Sequence, residues 1–309
     1  MRSQIIRRVL HLIPVMLGVS LITFFLSYLS PSDPAQILLN EMGVAPTQEV
    51  LEHAREEMGL NEPVPAQYIH WLERVLHGDF GTSYKYREPV LNVIAIKLPA
   101  TLKLTGAAML LMVLIAFPLG ILSAVYKNKA ADYVIRLFSM LSISMPTFWL
   151  ALLLIYFFTI RLKLFPLLSG GAFPGIVMPA VTLAFSMVGK YARQLRAAIL
   201  DEMHKDYVQG ALARGVGRGK TLIFHILPNA SIPIITMLGL SVGGLLGGTA
   251  IVESIFVWPG VGDMALDAIT NRDYPLIQGY VIWMALIYVA VNLIVDIIYT
   301  VFSHDIELQ

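Results

Sequence analysis

Six uninterrupted apolar stretches of about 20 residues or more run through this 309-residue chain, and a stretch that long has one common outcome, a helix that crosses a bilayer. They are Val9–Leu29, Thr101–Val125, Tyr133–Ile160, Ile176–Leu200, Ser231–Val252 and Ile277–Phe302. Composition rules out the alternative of two soluble domains. Apolar residues make up 57% and charged residues 14%, against roughly 45–50% and 25% in soluble proteins. The chain reads as an all-α polytopic membrane protein with six transmembrane helices. It has no cysteine, which excludes disulfides, thiolate metal sites and a cysteine nucleophile.

The first stretch begins like a secretory signal, with Arg2, Arg7 and Arg8 before the apolar run. Its apolar core is too long for one, and no small-residue cleavage site follows, only Ser30-Pro31-Ser32-Asp33-Pro34. A retained span is expected. Orientation follows from Lys and Arg in the short loops. The N-terminus, the segment with Lys127, Lys129 and Arg136, and the region with Lys190, Arg193, Arg196, Lys205, Arg214, Arg218 and Lys220 hold thirteen of the 22 basic residues. The short loops opposite hold Arg161, Lys163 and Arg272. Both termini are therefore expected in the cytoplasm.

Four regions follow: 1–29, the N-terminus and first span; 30–98, an external cap; 99–303, a five-span core; and 304–309, a tail. The cap holds ten acidic and five basic residues. Thr47 opens a helical pattern with Leu51, Ala54 and Met58 that ends at Gly59, and a second places Ile69, Leu72, Val75 and Leu76 on one face before Gly78. Such a cap serves equally as a lid on the bundle or as a docking platform.

Residues 201–230 form a cytoplasmic loop far longer than a connector requires. Tyr207, Val208, Ala211 and Leu212 predict a short amphipathic helix closed by Gly215, and a second short helix, Lys220–Leu227, leads to Pro228. A helix with a small-residue face held outside the bilayer suits a partner's groove, or else lies on lipid headgroups.

Ala211, Gly215 and Leu227-Pro228 match, at their spacing, the cytoplasmic loop signature of bacterial ABC importer permeases. Gln209, Gly210 and His225 depart from it, and the departures resemble the peptide and nickel branch. GDFGTSY (Gly78–Tyr84), LPATLKL (Leu98–Leu104), SMPTFWLALLL (Ser144–Leu154) and the run from Phe256 to Tyr280 are similar to that branch too. Within it, the pattern around NRDYPLIQ resembles the nickel-transport permeases, with dipeptide or oligopeptide permeases as the alternative.

The resemblance implies a type I ABC importer permease fold in a bacterial inner or plasma membrane. It also implies a second, homologous permease, two ATPase subunits, an external substrate-binding protein and a surrounding lipid bilayer as partners, with no nucleic acid. Asp206, Tyr207, Val208, Ala211, Gly215, Leu227 and Pro228 would form the ATPase-coupling loop. The chain would carry no cofactor and no catalysis, since Mg-ATP belongs on the partners. The sequence agrees: the stretch Gly215–Thr221 contains Gly-Lys-Thr, but Arg214 stands where a phosphate loop needs its first glycine.

Ionisable groups inside spans are costly and draw attention. Glu253, Asp296 and the nearby Asn292 are the candidate pathway residues, Asp296 being equally readable as a buried structural group. His53, His70 and His77 sit in the acidic cap, chemistry that suits a divalent ion, but no ligand spacing defines a metal site. The methionines read as packing residues. Pro14, Pro118 and Pro146 read as kinks. Gly239, Gly243, Gly244, Gly247 and Gly248 form a small-residue stripe expected to line a seam with a partner permease, or the pore. An ion-coupled transporter would need several deep carboxylates and an inverted repeat, and a membrane enzyme a clustered His/Asp/Glu site; the sequence offers neither.

Overall fold

The computed structural model describes residues 2–43, 47–166, 170 and 173–304, and the side chains within 12–246 and 249–295 of these. Among the described residues the chain forms helices and no strand, with one bridge between Thr82 and Pro89. In order the helices are α1 (Arg2–Tyr28), α2 (Pro34–Glu41), α3 (Gln48–Glu57), α4 (Val64–Leu76), α5 (Val90–Val125), α6 (Ala130–Ser144), α7 (Thr147–Leu154), α8 (Val177–Glu202), α9 (Asp206–Ala213), α10 (Arg218–Thr221), α11 (Leu227–Gly248), α12 (Ala250–Ile255), α13 (Val261–Thr270) and α14 (Tyr274–His304).

Helical segments occupy all six expected spans. Among the described residues, Val90–Val125, Arg218–Leu246 and Tyr274–Val295 are long and apolar enough to cross a membrane unaided. The first span keeps a shorter apolar helix, Leu12–Tyr28. At about 1.5 Å per residue α8 is long enough, but Lys190, Arg193 and Arg196 make its second half polar. The third span departs from expectation. It is two helices, Ala130–Ser144 and Thr147–Arg161, bent by 103°. The cause is local: Pro146 lacks an amide hydrogen and pushes Met145 into an extended conformation, with ψ of 121°. The fifth span also breaks, at Thr249, so that Glu253 stands on the separate helix α12.

The chain divides into two compact units, 1–100 with 259–290, and 101–258 with 291–309. In the first, Asp33 caps α2 by accepting from the Ala35 amide, and the same carboxylate pairs with Arg55 of α3. Thr47 caps α3 and Gly59 follows it at φ +69°, as the pattern predicts. The face of α4 is different from the one expected. Trp71 is buried with Phe24 and Ile282, and Tyr68, Leu72 and Val75 pack around them, while Ile69 and Leu76 are exposed. A second cluster joins Val90, Val93 and Ile94 of α5 to Val261, Met264, Ala268 and Leu276.

In the second unit the core runs from Met112 and Ala116 of α5 through Val188, Tyr191, Leu195 and Ile199 of α8 to Ile226, Ala230 and Ile234. Small residues set its closest approaches. A Cβ on Gly189 would lie 2.4 Å from the Ser139 carbonyl oxygen, so α6 and α8 meet at backbone distance. Gly239, expected at a seam with another protein, packs instead against Val295 of this chain, where a Cβ would fall 1.9 Å from a valine methyl. Gly244 faces open space.

Candidate functional site

The 201–230 region is a helical insert anchored to the long helices beside it. α9 begins at Asp206 and ends in a Schellman turn: the Gly215 amide donates to the Leu212 carbonyl at 2.9 Å and the Val216 amide to the Ala211 carbonyl at 3.1 Å. Gly215 takes φ +85°, the left-handed conformation that the sequence reading assigns to it. The second expected helix, however, does not stop before Pro228. α10, a wider π-type turn at Leu222–Ile226 and α11 run on without a break, and the wider turn takes up the discontinuity of a residue with no amide hydrogen.

The small face of α9 is also used differently from the expectation. Val208 and Ala211 are buried, 2% and 1% exposed, and Val208 packs in the core with Ile226 and Ala230. That face is occupied by this chain and is not free for a partner. Asp206, Tyr207 and Gly215 are exposed on the other side, together with Pro228 and the apolar pair Ile223 and Phe224; Leu227 is half-buried. A polar network fastens the insert at its base. The Tyr207 hydroxyl donates to Glu202 Oε2 at 2.5 Å and accepts from Asn229 Nδ2 at 3.1 Å, and Lys205 Nζ lies 2.6 Å from Glu202 Oε1. Burial, then the hydrogen bond to the Glu202 carboxylate, raise the Tyr207 pKa above the ordinary phenol value. The residue therefore stays a neutral donor.

Of the pathway candidates, Glu253 is fully buried and accepts hydrogen bonds from Thr101 Oγ1 at 2.7 Å and Thr249 Oγ1 at 3.1 Å. Asn292 is half-buried, and its Oδ1 has no hydrogen-bond partner among the described residues. The Asp296 side chain lies outside the described residues. In the acidic cap, His70 pairs with Glu62 at 2.9 Å and His53 with Glu57 at 3.5 Å, contacts of a kind expected on any charged surface.

Sequence reasoning missed two polar clusters. Asp132, fully buried at the start of α6, accepts both arms of the Arg196 guanidinium at 2.8 Å, the Ser123 hydroxyl at 2.6 Å and the Asn128 amide at 2.9 Å. The other joins two family motifs. Ser83 of GDFGTSY donates to Asp273 of NRDY at 2.5 Å, and Lys85 Nζ meets Asp267 at 2.5 Å. Asp273 also accepts from the Leu276 amide at the start of α14. Asp-Tyr-Pro at the head of an apolar helix is a legible start signal; its partner 190 residues away is not.

Fold and insert together define a class: an all-helical integral membrane subunit with a short helical insert locked between two long helices. Residues 116–308 match the family described as the binding-protein-dependent transport system inner membrane component, and residues 1–105 match that family's N-terminal membrane component. The chain belongs to that family and is a permease subunit. The probable D,D-dipeptide transport permease DdpB of Escherichia coli K12 is 37% identical, over 93% of this chain and 92% of its own length. The glutathione transport permease GsiC of Salmonella choleraesuis is 36% identical over 99% of both, and a probable peptide ABC transporter permease of Sinorhizobium fredii is also 36% identical. The fold is shared with solved structures of the MetNI methionine ABC transporter (TM-score 0.56, 16% identity, 68% of this chain and 96% of that one) and of an amino acid ABC transporter (TM-score 0.53, 22% identity, 70% and 94%).

Proposed function

We propose that this chain forms one half of the membrane pathway of an ATP-driven importer of short peptides. The supporting observation is the end-to-end similarity to permeases named for dipeptide, glutathione and peptide transport. Peptide takes the place of the nickel ion or chelate expected from the NRDYPLIQ stretch, because these relatives are named for peptide-type cargo. In this reading an external binding protein delivers substrate, a second permease completes the pathway, and two ATPase subunits supply the energy. Both termini face the cytoplasm.

The 201–230 insert is the coupling element. Its inner face is packed into the chain's own core through Val208 and Ala211, and the Tyr207–Glu202–Lys205 network ties its base to α8. A push on the exposed residues Asp206, Tyr207, Gly215, Ile223 and Phe224 therefore moves α9 with the ends of α8 and α11 rather than bending a loose loop. Glu253, Asn292 and Asp296 remain pathway candidates, Glu253 in a closed, hydrogen-bonded state. The test is uptake of a radiolabelled dipeptide and of labelled nickel ion by a strain lacking this chain, with and without its return. Restored dipeptide uptake is expected; restored nickel uptake alone would return the substrate to the metal reading.

A further inference from the structure

The 1–100 and 259–290 unit contains a cavity of about 780 Å³, within the range of small-molecule binding sites. Three hydrogen-bonding side chains in its lining are more than nine-tenths buried: Trp71, Tyr84 and Gln278, at 8%, 9% and 8% exposure. Among the described residues the indole N–H, the phenol O–H and the carboxamide make no hydrogen bond within the protein. Their polar atoms are reached by solvent within the cavity, so a guest that displaces this water must offer the three groups hydrogen bonds in its place. Six exposed charged residues also line the cavity, Glu56, Glu57, Glu62, Arg74, Asp79 and Arg87. Glu57 and Glu62 face histidines, Arg87 donates to the Glu41 carbonyl and Asp79 accepts from the Gly81 amide, whereas the Arg74 and Glu56 side chains make no hydrogen bond or ion pair among the described residues.

We infer that this cavity binds a short peptide with free termini, held at the expected outer side before it enters the pathway. A peptide bond supplies an acceptor for the donor-only indole and both functions for the carboxamide. An apolar guest would satisfy none of the three groups, and a metal ion could not use the indole N–H. The carboxylate and ammonium of a peptide match Arg74 and Glu56. Tyr84 is a lasting donor because burial, with the Asp273 charge, raises its pKa well above the ordinary phenol value; the Arg74 charge acts on it in the opposite direction, so the guanidinium lies within electrostatic reach of the phenol. Phe24 and Phe80 give the lining apolar surface for peptide side chains.

The inference rests on the peptide reading, and the experiment separates the two. The assembled transporter, in nanodiscs without nucleotide or external binding protein, is titrated with tritiated Ala-Phe, and with Ala-Phe amide as competitor. Saturable binding is expected. Tyr84→Phe and Gln278→Leu should each weaken it about tenfold, the scale of one hydrogen bond. Arg74→Met, at an exposed and unpaired residue, should leave the fold intact and erase the preference for the free carboxylate over the amide. Absence of saturable binding, or binding that all three variants retain, overturns the site. If the variants weaken only the docking of the external binding protein, the cavity receives a segment of that protein and the inference is again overturned. Cells that import the dipeptide while the cavity binds none refute this site alone; cells that import no peptide refute the functional reading.

Discussion

Asp132 and Arg196 show what one residue pair does for this fold. The carboxylate is fully buried, and the guanidinium holds it with two parallel 2.8 Å hydrogen bonds, joining the start of α6 to α8. In the sequence, Arg196 counted only toward orientation, because its partner lies 64 residues away. Removing one member of a buried pair leaves the other charge uncompensated, at a cost of about 3–5 kcal/mol. Asp132→Asn is therefore expected to lower the thermal unfolding temperature in detergent clearly, and Asp132→Asn with Arg196→Gln to recover part of the loss. A fully stable single variant would show the pair to be dispensable. Tyr86 gives a pH-dependent counterpart. Burial, then the Asp267 charge and hydrogen bond, push its pKa up to about 12 from 10.0. A raised folded pKa means that the contribution is whole below about pH 10 and is lost as pH rises toward 12. Tyr86→Phe should lose that contribution at about pH 8 and flatten the stability profile between those values; identical alkaline profiles would remove Tyr86 from the account.

At the scale of elements, helix ends were more legible than helix faces. Thr47, Gly59 and Gly215 act through their own backbone, so local sequence reveals them. The buried face of α4 is chosen by Phe24 and Ile282, far away in sequence, and periodicity alone selected Ile69 and Leu76 wrongly. Pro146 was legible as a kink, but the 103° angle also depends on what α6 and α7 pack against. The end of α9 yields a prediction about what its cap position can carry. Gly215 has φ +85°, and a Cβ there would meet nothing within 4 Å. Asparagine tolerates that backbone, and the chain itself leaves room for a large side chain. Gly215→Asn should keep most ATP-driven uptake, whereas Gly215→Trp should abolish it at equal membrane insertion, because tryptophan is strained at that φ and its indole would also meet a docked partner. Equal uptake by the two would take the loop out of the coupling step.

For the whole molecule, the family was legible because its motifs recur in order along the chain, and the substrate was not, because NRDYPLIQ serves a structural purpose here. Its Asp273 holds Ser83 and starts α14, so resemblance there reports a shared fold more than shared cargo. What charge bias does predict is sidedness, and the bend in the third span makes that prediction sharper. If the helices on either side of Pro146 form one broken span, Lys163 emerges on the side of the cap; if they form a re-entrant loop, Lys163 returns to the side of Lys127, and Lys220, one crossing further on, moves to the side of the cap. The chain has no cysteine, so each introduced thiol is the only one present. Glu57, Lys163 and Lys220 are all exposed, and Glu57 would lose only a solvent-exposed contact with His53. In intact cells, a membrane-impermeant maleimide should label Glu57→Cys and Lys163→Cys but reach Lys220→Cys only after the membrane is opened. Labelling of Glu57→Cys and Lys220→Cys but not Lys163→Cys would make the bent pair re-entrant and leave the chain with five crossings. Its two termini would then lie on opposite sides of the membrane.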